Sequence, residues 1–288
     1  MVFYFWSMEK QGPIGVFDSG YGGLTVLKEI TDTLPGYDYI YLGDNARAPY
    51  GNRSFETIYH YTLQCVKWFF KQGCPLVVLA CNTASAKALR TIQQNDLPKI
   101  DTTKRVLGVI RPTTEIVGQY STSNKVGILA TNGTVQSKSY QIEIEKFYPQ
   151  LQVYQQACPL WVPLIENGEY ENEGADYFIK KYVAELMEKD AGIDTILLAC
   201  THYPLIQQKI EALLPEDVKV LSQGSIVANS LKDYLQRHPE IESKITTNRS
   251  LKFYTTDSPE DFDMHATVFF GKTVQSRHVE MEDDAPSC

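Results

Sequence analysis

The sequence predicts an α/β protein made of two similar domains, each on a parallel sheet, with a cleft between their strand ends. Three observations support this prediction. Short apolar runs alternate with helical patterns, two of the runs end in a cysteine, and the two halves of the chain echo each other. Open α/β sheets hold their ligands at the carboxyl ends of their strands. The residues that follow the strands are therefore the candidates for a site.

Nine apolar runs have the length and β-branched content of buried parallel strands. They cover residues 14–17, 39–42, 76–80, 106–109, 126–129, 152–154, 196–199, 218–221 and 251–254. Between them, apolar residues recur at helical spacing, which predicts helices over 25–34, 55–72, 84–94, 135–147, 174–189 and 205–213. This alternation favours parallel sheets.

An internal repeat relates the two halves. Residues 79–83 align with 198–202, and residues 14–20 align with 126–133. In each half a glycine-containing strand comes first and a strand ending in cysteine follows. Between the halves lies Arg111-Pro112-Thr113, which we predict to be a linker because proline disfavours helix at the residue before it.

Composition and charge describe a globular chain. The 288 residues are 43% hydrophobic and 22% charged, which suits two ordinary domains or one large one. A net charge of −8 disfavours nucleic acid or an anionic membrane as the main partner. No apolar stretch reaches the roughly 20 residues of a membrane span. The apolar start, residues 1–8, lacks the features of a signal peptide, so we expect a cytoplasmic protein.

The six cysteines lack the spacing of a disulfide framework, which indicates reduced thiols. Cys65, Cys74 and Cys158 are interpreted as structural. Cys288 lies in the acidic segment 280–288, which its composition predicts to be disordered. Cys81 and Cys200, at the ends of equivalent strands, remain as candidates for chemistry. Two thiols in equivalent settings suggest an acid and a base that face each other across one small substrate.

The segment Asp18-Ser19-Gly20-Tyr21-Gly22-Gly23 follows the first strand. Its glycines let the backbone approach a ligand and present N–H groups to a carboxylate or phosphate. It does not fit the dinucleotide pattern G-x-G-x-x-G. A tight turn capped by Asp18 or Ser19 is the alternative.

The loop after the second strand ends in Pro49-Tyr50-Gly51. This tip could cover a ligand, with Tyr50 as a wall or a hydrogen-bond donor. A simple surface turn is the alternative interpretation.

Around Cys81, the polar side chains of Asn82, Thr83 and Ser85 crowd the start of a helix, whose dipole would favour the thiolate. The alternative is a buried small residue beside a capping cluster.

Cys200 has a similar setting, and His202 beside it could donate or accept a proton. Cys-x-His could also supply two metal ligands, but no third and fourth ligand follow nearby, so we predict no metal site. Glu166 follows the apolar residues of segment 158–168, which is predicted to be a loop, and is expected to be half buried.

Together these motifs resemble the glutamate racemase family, cofactor-independent enzymes of the aspartate/glutamate racemase superfamily. The resemblance extends from about Gly12 to about Gly271. It rests on the strings at 15–24, 49–51, 81–85 and 199–204, in that order.

The resemblance implies interconversion of L- and D-glutamate without a cofactor, supplying D-glutamate for peptidoglycan, by a homodimer. From the charge and the apolar runs we expect no nucleic-acid or membrane partner. It implies that Cys81 removes the α-proton of D-glutamate and Cys200 that of L-glutamate. Asp18 would assist Cys81, and Glu166 and His202 would assist Cys200. The positions implied around the substrate are Asp18, Ser19, Tyr50, Gly51, Asn82, Thr83, Thr131, Thr134, Thr201 and His202.

The resemblance also implies that the second domain is inserted into the first. Residues 1–111 and 223–288 would form the first domain, and residues 112–222 the second.

The chemistry accounts for these residue types. A cofactor-free racemase must take a weakly acidic α-proton from one face and deliver another to the opposite face, and thiols titrate near neutral pH once their surroundings tune them. No lysine in these motifs is a candidate for a pyridoxal phosphate Schiff base. Three alternatives stay open: an aspartate racemase, a hydrolase with one nucleophilic cysteine and His202 as base, and a non-catalytic amino-acid-binding protein.

Overall fold

The structure is a computed structural model that describes residues 11–282. Two parallel sheets flanked by helices confirm the predicted α/β class. The strands are β1 (Ile14–Asp18), β2 (Tyr39–Gly43), β3 (Leu76–Leu79), β4 (Arg105–Gly108), β5 (Lys125–Ala130), β6 (Gln152–Ala157), β7 (Thr195–Ala199), β8 (Lys219–Leu221), β9 (Leu251–Thr255) and β10 (Ser276–His278). All nine predicted strands occur, with small shifts at their ends.

The helices fill the intervals between the strands. They are α1 (Gly23–Thr33), α2 (Phe55–Lys71), α3 (Asn82–Lys87), α4 (Leu89–Thr91), α5 (Leu97–Ile100), α6 (Ile110–Ile116), α7 (Asn132–Ser137), α8 (Ser139–Phe147), α9 (Trp161–Glu166), α10 (Glu173–Met187), α11 (Gln207–Glu211), α12 (Gly224–Arg237), α13 (Pro239–Glu242) and α14 (Pro259–Phe270). Predicted helix 135–147 is divided between α7 and α8, because Lys138 adopts a left-handed conformation with φ of 55°.

Each sheet is parallel throughout. The six-stranded sheet has the order β10-β9-β2-β1-β3-β4, and the four-stranded sheet has the order β6-β5-β7-β8. Strands β1, β2, β3 and β7 are buried along their whole length. Parallel strands covered on both faces are expected to read as continuous apolar runs, which is why the sequence revealed them.

The internal repeat is visible in the strand pairing. In the first sheet β1 pairs with β3, with Phe17 opposite Leu79. In the second sheet β5 pairs with β7, with Leu129 opposite Leu198. In both halves the glycine-containing strand therefore lies beside the strand that precedes the cysteine.

The chain crosses between the sheets twice. It leaves the first sheet through α6, after β4, and returns through α12, after β8. Helix α12 packs against α1, and β9 then pairs with β2. Residues beyond β8 thus build onto the first sheet.

The predicted linker Arg111-Pro112-Thr113 lies between the strands of the two sheets, but it is helical, within α6, although the proline suggested otherwise. Pro112 is the third residue of that helix, where the backbone N–H has no partner within the helix, so proline is tolerated. The predicted loop 158–168 likewise contains α9.

The predicted disorder of segment 280–288 is wrong for its first three residues. The backbone N–H of Val279 donates to the carbonyl of Thr255, and Glu282 forms an ion pair with Lys71 on α2. The polar strand β10, which precedes them, had no apolar signal in the sequence. Residues 283–288, with Cys288, and residues 1–8 at the start lie outside the described residues.

Within the described part of the chain, no helix combines the length and the apolar character that a membrane crossing requires.

We expect Gly15→Ala to destabilise the fold, because an added methyl group would lie 2.6 Å from the ring of Phe69 on α2. That ring is fully buried and cannot turn aside. The expected loss in unfolding free energy is about 1–3 kcal/mol, measured by urea denaturation. Gly36→Ala is the control, since its methyl meets nothing within 4 Å. Equal losses in the two variants would contradict the packing explanation.

Candidate active site

A cleft opens where the carboxyl ends of the two sheets face each other. Its free volume is about 50 Å³, far below the roughly 300–1,000 Å³ of pockets for drug-sized ligands, so it suits a small molecule. Its walls are formed by Ser19, Ala48, Pro49, Tyr50, Gly51, Asn52, Cys81, Asn82, Thr83, Thr131, Asn132, Cys158, Pro159, Val162, Pro163, Glu166, Cys200, Thr201 and His202.

The structure brings most of the predicted site residues to this cleft. Asp18 and Thr134 are fully buried and lie behind the wall, in contact with residues that form it. The predicted residues on the wall are Ser19, Tyr50, Gly51, Cys81, Asn82, Thr83, Thr131, Glu166, Cys200, Thr201 and His202.

Cys81 lies two residues beyond β3, at the start of α3. Its Sγ accepts a hydrogen bond from the backbone N–H of Ala84 at 3.5 Å and lies 3.6 Å from Ser19 Oγ. Burial, and next the charge of Asp18, raise the pKa of Cys81 to about 12. At Cys81 the penalty of burial thus outweighs the effect of the helix start, and the resulting shift is opposite in direction to the expected bias toward thiolate.

Asp18 ends β1 behind Cys81. Its carboxylate accepts hydrogen bonds from the backbone N–H of Gly20 at 2.9 Å and from Thr201 Oγ1 at 3.2 Å. Burial raises the pKa of Asp18, and the opposing effect of His202 and of these hydrogen bonds is smaller. Asp18 therefore links the first strand to the segment that carries the second cysteine.

The glycines after Asp18 serve close packing between the sheets. A Cβ on Gly22 would lie 2.4 Å from both His202 Nδ1 and Thr201 Oγ1, and one on Gly23 would lie 2.4 Å from the Cβ of Asp18. Neither glycine lines the cleft. The prediction that their backbone N–H groups meet a ligand is not supported, and the turn with Asp18 as its hydrogen-bond acceptor is the better description.

Cys200 directly follows β7 and has a basic neighbour. Its Sγ lies 3.8 Å from His202 Nδ1, and His202 Nε2 lies 2.9 Å from Glu166 Oε1. Burial lowers the pKa of His202, but the hydrogen bonds with Cys200 and Glu166 outweigh it and hold the pKa well above its ordinary value. The Glu166 side chain is 22% exposed, and the three groups form a carboxylate–imidazole–thiol chain.

Three threonine hydroxyls join the sheets across the cleft. Thr83 Oγ1 lies 3.0 Å from Thr131 Oγ1 and 3.5 Å from Thr134 Oγ1. The backbone N–H of Gly133 also donates to the carbonyl of Gly51 at 2.8 Å. These contacts place polar donors from both halves on one side of the cleft.

Tyr50 is a buried wall of the cleft, 1% exposed, and no surface turn. Its hydroxyl donates to Asp44, which also accepts from Arg47 Nε at 2.8 Å. Because this hydroxyl is already used, Tyr50 offers its ring to a ligand.

The sequence did not predict that Pro159, Val162 and Pro163 form an apolar wall of the cleft, although the run of apolar residues there is the pattern that indicates one. It also missed Tyr140 and Gln223, which form hydrogen bonds with Asn82 behind the wall. These lie 58 and 141 residues from Asn82, and no local pattern connects them. Within residues 11–282, no three His, Cys, Asp or Glu side chains are grouped so as to hold a metal ion.

Comparison with known proteins gives consistent matches. The model of the Asp/Glu/hydantoin racemase family matches residues 14–231. The chain is 37% identical to the glutamate racemase of Sulfurihydrogenibium sp. (strain YO3AOP1), over 94% of this chain and 98% of that protein. It is 38% identical to the glutamate racemase of Thermoanaerobacter pseudethanolicus, with the same coverage.

Solved structures are also similar over most of their length. A glutamate racemase isoform from Bacillus anthracis superposes with a TM-score of 0.85 at 33% identity, covering 94% of this chain and 98% of that one. A glutamate racemase from Francisella tularensis in complex with D-glutamate gives 0.84 at 34% identity, with the same coverage.

We expect Glu166→Gln to remove a pH-dependent part of the stability. Because the pKa of His202 is raised in the folded protein, the imidazole keeps its proton above pH about 6.5. The unfolded chain, with the ordinary pKa, releases the proton near that pH. This stabilisation is fully present below that pH and is lost as pH rises through the folded pKa. Because the variant lacks the partner carboxylate, its deficit in unfolding free energy is largest below pH about 6.5 and shrinks in alkaline solution.

Urea denaturation across this pH range measures the deficit, and NMR of the imidazole protons follows the titration of His202. Glu240→Gln is the control, because its carboxylate lies beside His238, at 3.1 Å, on the surface. A deficit in Glu166→Gln that stays constant with pH would argue against the protonated pair.

Proposed function

The chain belongs to the Asp/Glu/hydantoin racemase family, and from this premise we propose that it is a glutamate racemase that interconverts L- and D-glutamate without a cofactor. One observation supports the proposal most strongly. Two buried cysteines, each at the carboxyl end of a strand in a different sheet, line one small cleft. The similarity to glutamate racemases supports glutamate as the substrate.

Racemisation would proceed by two proton transfers on opposite faces of the α-carbon. The Cys81 thiolate removes the α-proton of D-glutamate, and the Cys200 thiol delivers its proton to the other face. This yields L-glutamate, a protonated Cys81 and a deprotonated Cys200. The reverse reaction begins at Cys200, and two bases avoid the return of the same proton to the same face.

The neighbours of each cysteine would assist it in different ways. Because burial and the charge of Asp18 raise the pKa of Cys81, its action as a base would require the cationic α-ammonium group of the substrate to offset that charge. On the other side, Glu166 orients His202, whose imidazole lies beside the Cys200 sulfur and can donate a proton to it or accept one from it.

Polar groups on the wall would bind the two carboxylates of glutamate. Hydroxyl and amide donors come from Ser19, Asn82, Thr83, Thr131 and Thr201, while Tyr50 and Gly51 close the cleft. Asp18 and Thr134 support these residues from behind, and His202 borders the substrate beside Cys200. Preorganised donors that meet the negative charge of a carbanion-like transition state are a large source of rate enhancement.

The wider role of the protein is also part of the proposal. We infer a discontinuous first domain, 1–111 with 223–288, and an inserted second domain, 112–222, which the sheet membership of the strands supports. The product would supply peptidoglycan synthesis in the cytoplasm, and the enzyme would act as a homodimer. These statements rest on the family, and light scattering on the purified protein measures the last of them.

The experiment that tests the proposed activity is the decay of the circular dichroism of pure D-glutamate, and separately of D-aspartate, with no added cofactor. Decay of the D-glutamate signal alone supports the proposal. Decay of D-aspartate alone would identify an aspartate racemase, and no decay of either would favour a binding protein.

We expect Cys81→Ala and Cys200→Ala each to lower racemisation by at least about 10²–10⁴-fold, because each removes one of the two proton carriers. The loss is measured by the same dichroism assay. Cys158→Ala is the matched control, since it removes a third buried thiol on the cleft wall that the mechanism does not use. Near-normal turnover of both enantiomers by either single variant would exclude the two-thiol mechanism.

We expect Asp18→Asn and Glu166→Gln to slow different proton transfers. The enantiomers have equal free energy, so each variant lowers kcat/KM by the same factor in both directions, and only isotope effects separate the steps. Asp18→Asn should enlarge the kinetic isotope effect measured with α-deuterated D-glutamate. Glu166→Gln should enlarge the one measured with α-deuterated L-glutamate. Identical isotope effects in the two variants would contradict the assignment of helpers to opposite thiols.

A further inference from the structure

A buried network of side chains lies behind the cleft wall and takes no part in the proton transfers. It consists of Asn82, Thr113, Tyr140 and Gln223. Asn82 and Gln223 are 3% exposed, and the other two are fully buried. Buried polar groups are costly unless their hydrogen bonds are satisfied, so the geometry of such a network is strongly constrained.

One backbone carbonyl sets the direction of every hydrogen bond in this network. Thr113 Oγ1 donates its single proton to the carbonyl oxygen of Val109 at 2.9 Å. Toward Gln223 the hydroxyl can therefore only accept. Gln223 must present Nε2 to Thr113, at 3.0 Å, and its Oε1 must face the other way.

The orientation of Gln223 fixes that of Asn82. Gln223 Oε1 accepts from Asn82 Nδ2 at 2.6 Å, which turns Asn82 Oδ1 toward Tyr140. The Tyr140 hydroxyl donates to this Oδ1 at 2.5 Å and accepts from Gln223 Nε2 at 2.6 Å. Turning the Asn82 amide over would set its Oδ1 against Gln223 Oε1, two acceptors, and would leave the proton of the Tyr140 hydroxyl without its acceptor.

Asn82 Nδ2 carries two protons, and Gln223 accepts only one. Within residues 11–282 the hydrogen bond of Nδ2 is the one to Gln223, and Asn82 lies on the wall of the cleft. A carboxylate in the cleft is a suitable acceptor for the second N–H.

We propose that Tyr140 and Gln223 are positioning residues that hold the Asn82 amide with its second N–H offered to a carboxylate of the substrate. The inference rests on the proposed function, because it takes that substrate to be glutamate. Thr113 lies on α6, where the chain leaves the first sheet, and Gln223 immediately precedes α12, where it returns. The orientation of the Asn82 amide is thus fixed at the place where the two crossings between the sheets lie together.

The test is a double-mutant cycle of Tyr140→Phe with Asn82→Ala, read as KM and kcat for D-glutamate. Tyr140→Phe keeps the ring and removes the donor to Asn82 Oδ1. We expect it to raise KM by about tenfold with little change in kcat, the effect of one misdirected hydrogen bond. In the Asn82→Ala background the same substitution should change KM by less than about twofold. An equal rise in KM in both backgrounds would overturn the proposal.

Tyr148→Phe is the matched control, since its hydroxyl donates to the carbonyl of Glu115 at 2.7 Å, outside the network. It should leave KM unchanged. Gln223→Met is a second variant that removes the acceptor of Asn82 Nδ2, and it should raise KM in the same way as Tyr140→Phe. A rise in KM for Tyr148→Phe equal to that for Tyr140→Phe would indicate general loosening and overturn the proposal.

A measurement on the free protein separates this inference from the proposed function. The side-chain NH₂ signals of Asn82 can be assigned by NMR from their loss in Asn82→Ala. In the wild type we expect one proton to exchange slowly with solvent and the other quickly, and Tyr140→Phe should remove the difference. Equal exchange of the two protons in the wild type would refute the fixed amide, whatever the outcome of the racemisation assay.

Discussion

The strongest constraint on this molecule is the contact between Asp18 and Thr201, where the carboxyl ends of the two sheets meet. The hydroxyl of Thr201 donates to Asp18 across the gap, and its carbonyl accepts from Thr25 Oγ1 at 2.9 Å. The approach is possible because residue 22 is glycine, since any side chain there would strike Thr201 and His202. With the strand ends held in this way, Cys81 and Cys200 necessarily line the same small space.

Burial and the neighbouring charges make the two sides of the cleft electrostatically unlike. On one side, burial raises the pKa of Asp18 and of Cys81, and the two acidic groups repel each other's ionised forms. On the other side, Glu166 and Cys200 stabilise the positive form of His202. The repeat in the backbone is therefore close to symmetric, whereas the charge that surrounds each thiol is not. A ligand that carries one ammonium group and two carboxylates is suited to such a division.

The sequence predicted most of the sheet architecture because strands buried on both faces have a strong local pattern. Strand β10 was not predicted because its residues Ser276, Arg277 and His278 are polar and lie at the edge of the six-stranded sheet. The cysteines were predictable from their position after apolar runs. The raised pKa of Cys81 was not, since it depends on how deeply the thiol is buried and on Asp18, 63 residues earlier in the chain. The hydrogen bond between Asn82 and Gln223 was also not predictable, because 141 residues separate the two in the chain.

The two crossings of the chain lie side by side. Gln223 Nε2 is 3.0 Å from Thr113 Oγ1 and 3.4 Å from the carbonyl oxygen of Val109. A segment whose ends meet can be received by a host fold without stretching it. The segment that builds the four-stranded sheet thus has its two ends at one place. Replacing that segment by the corresponding one of a relative would carry Thr131, Glu166, Cys200 and His202 as a set, opposite an unchanged Cys81.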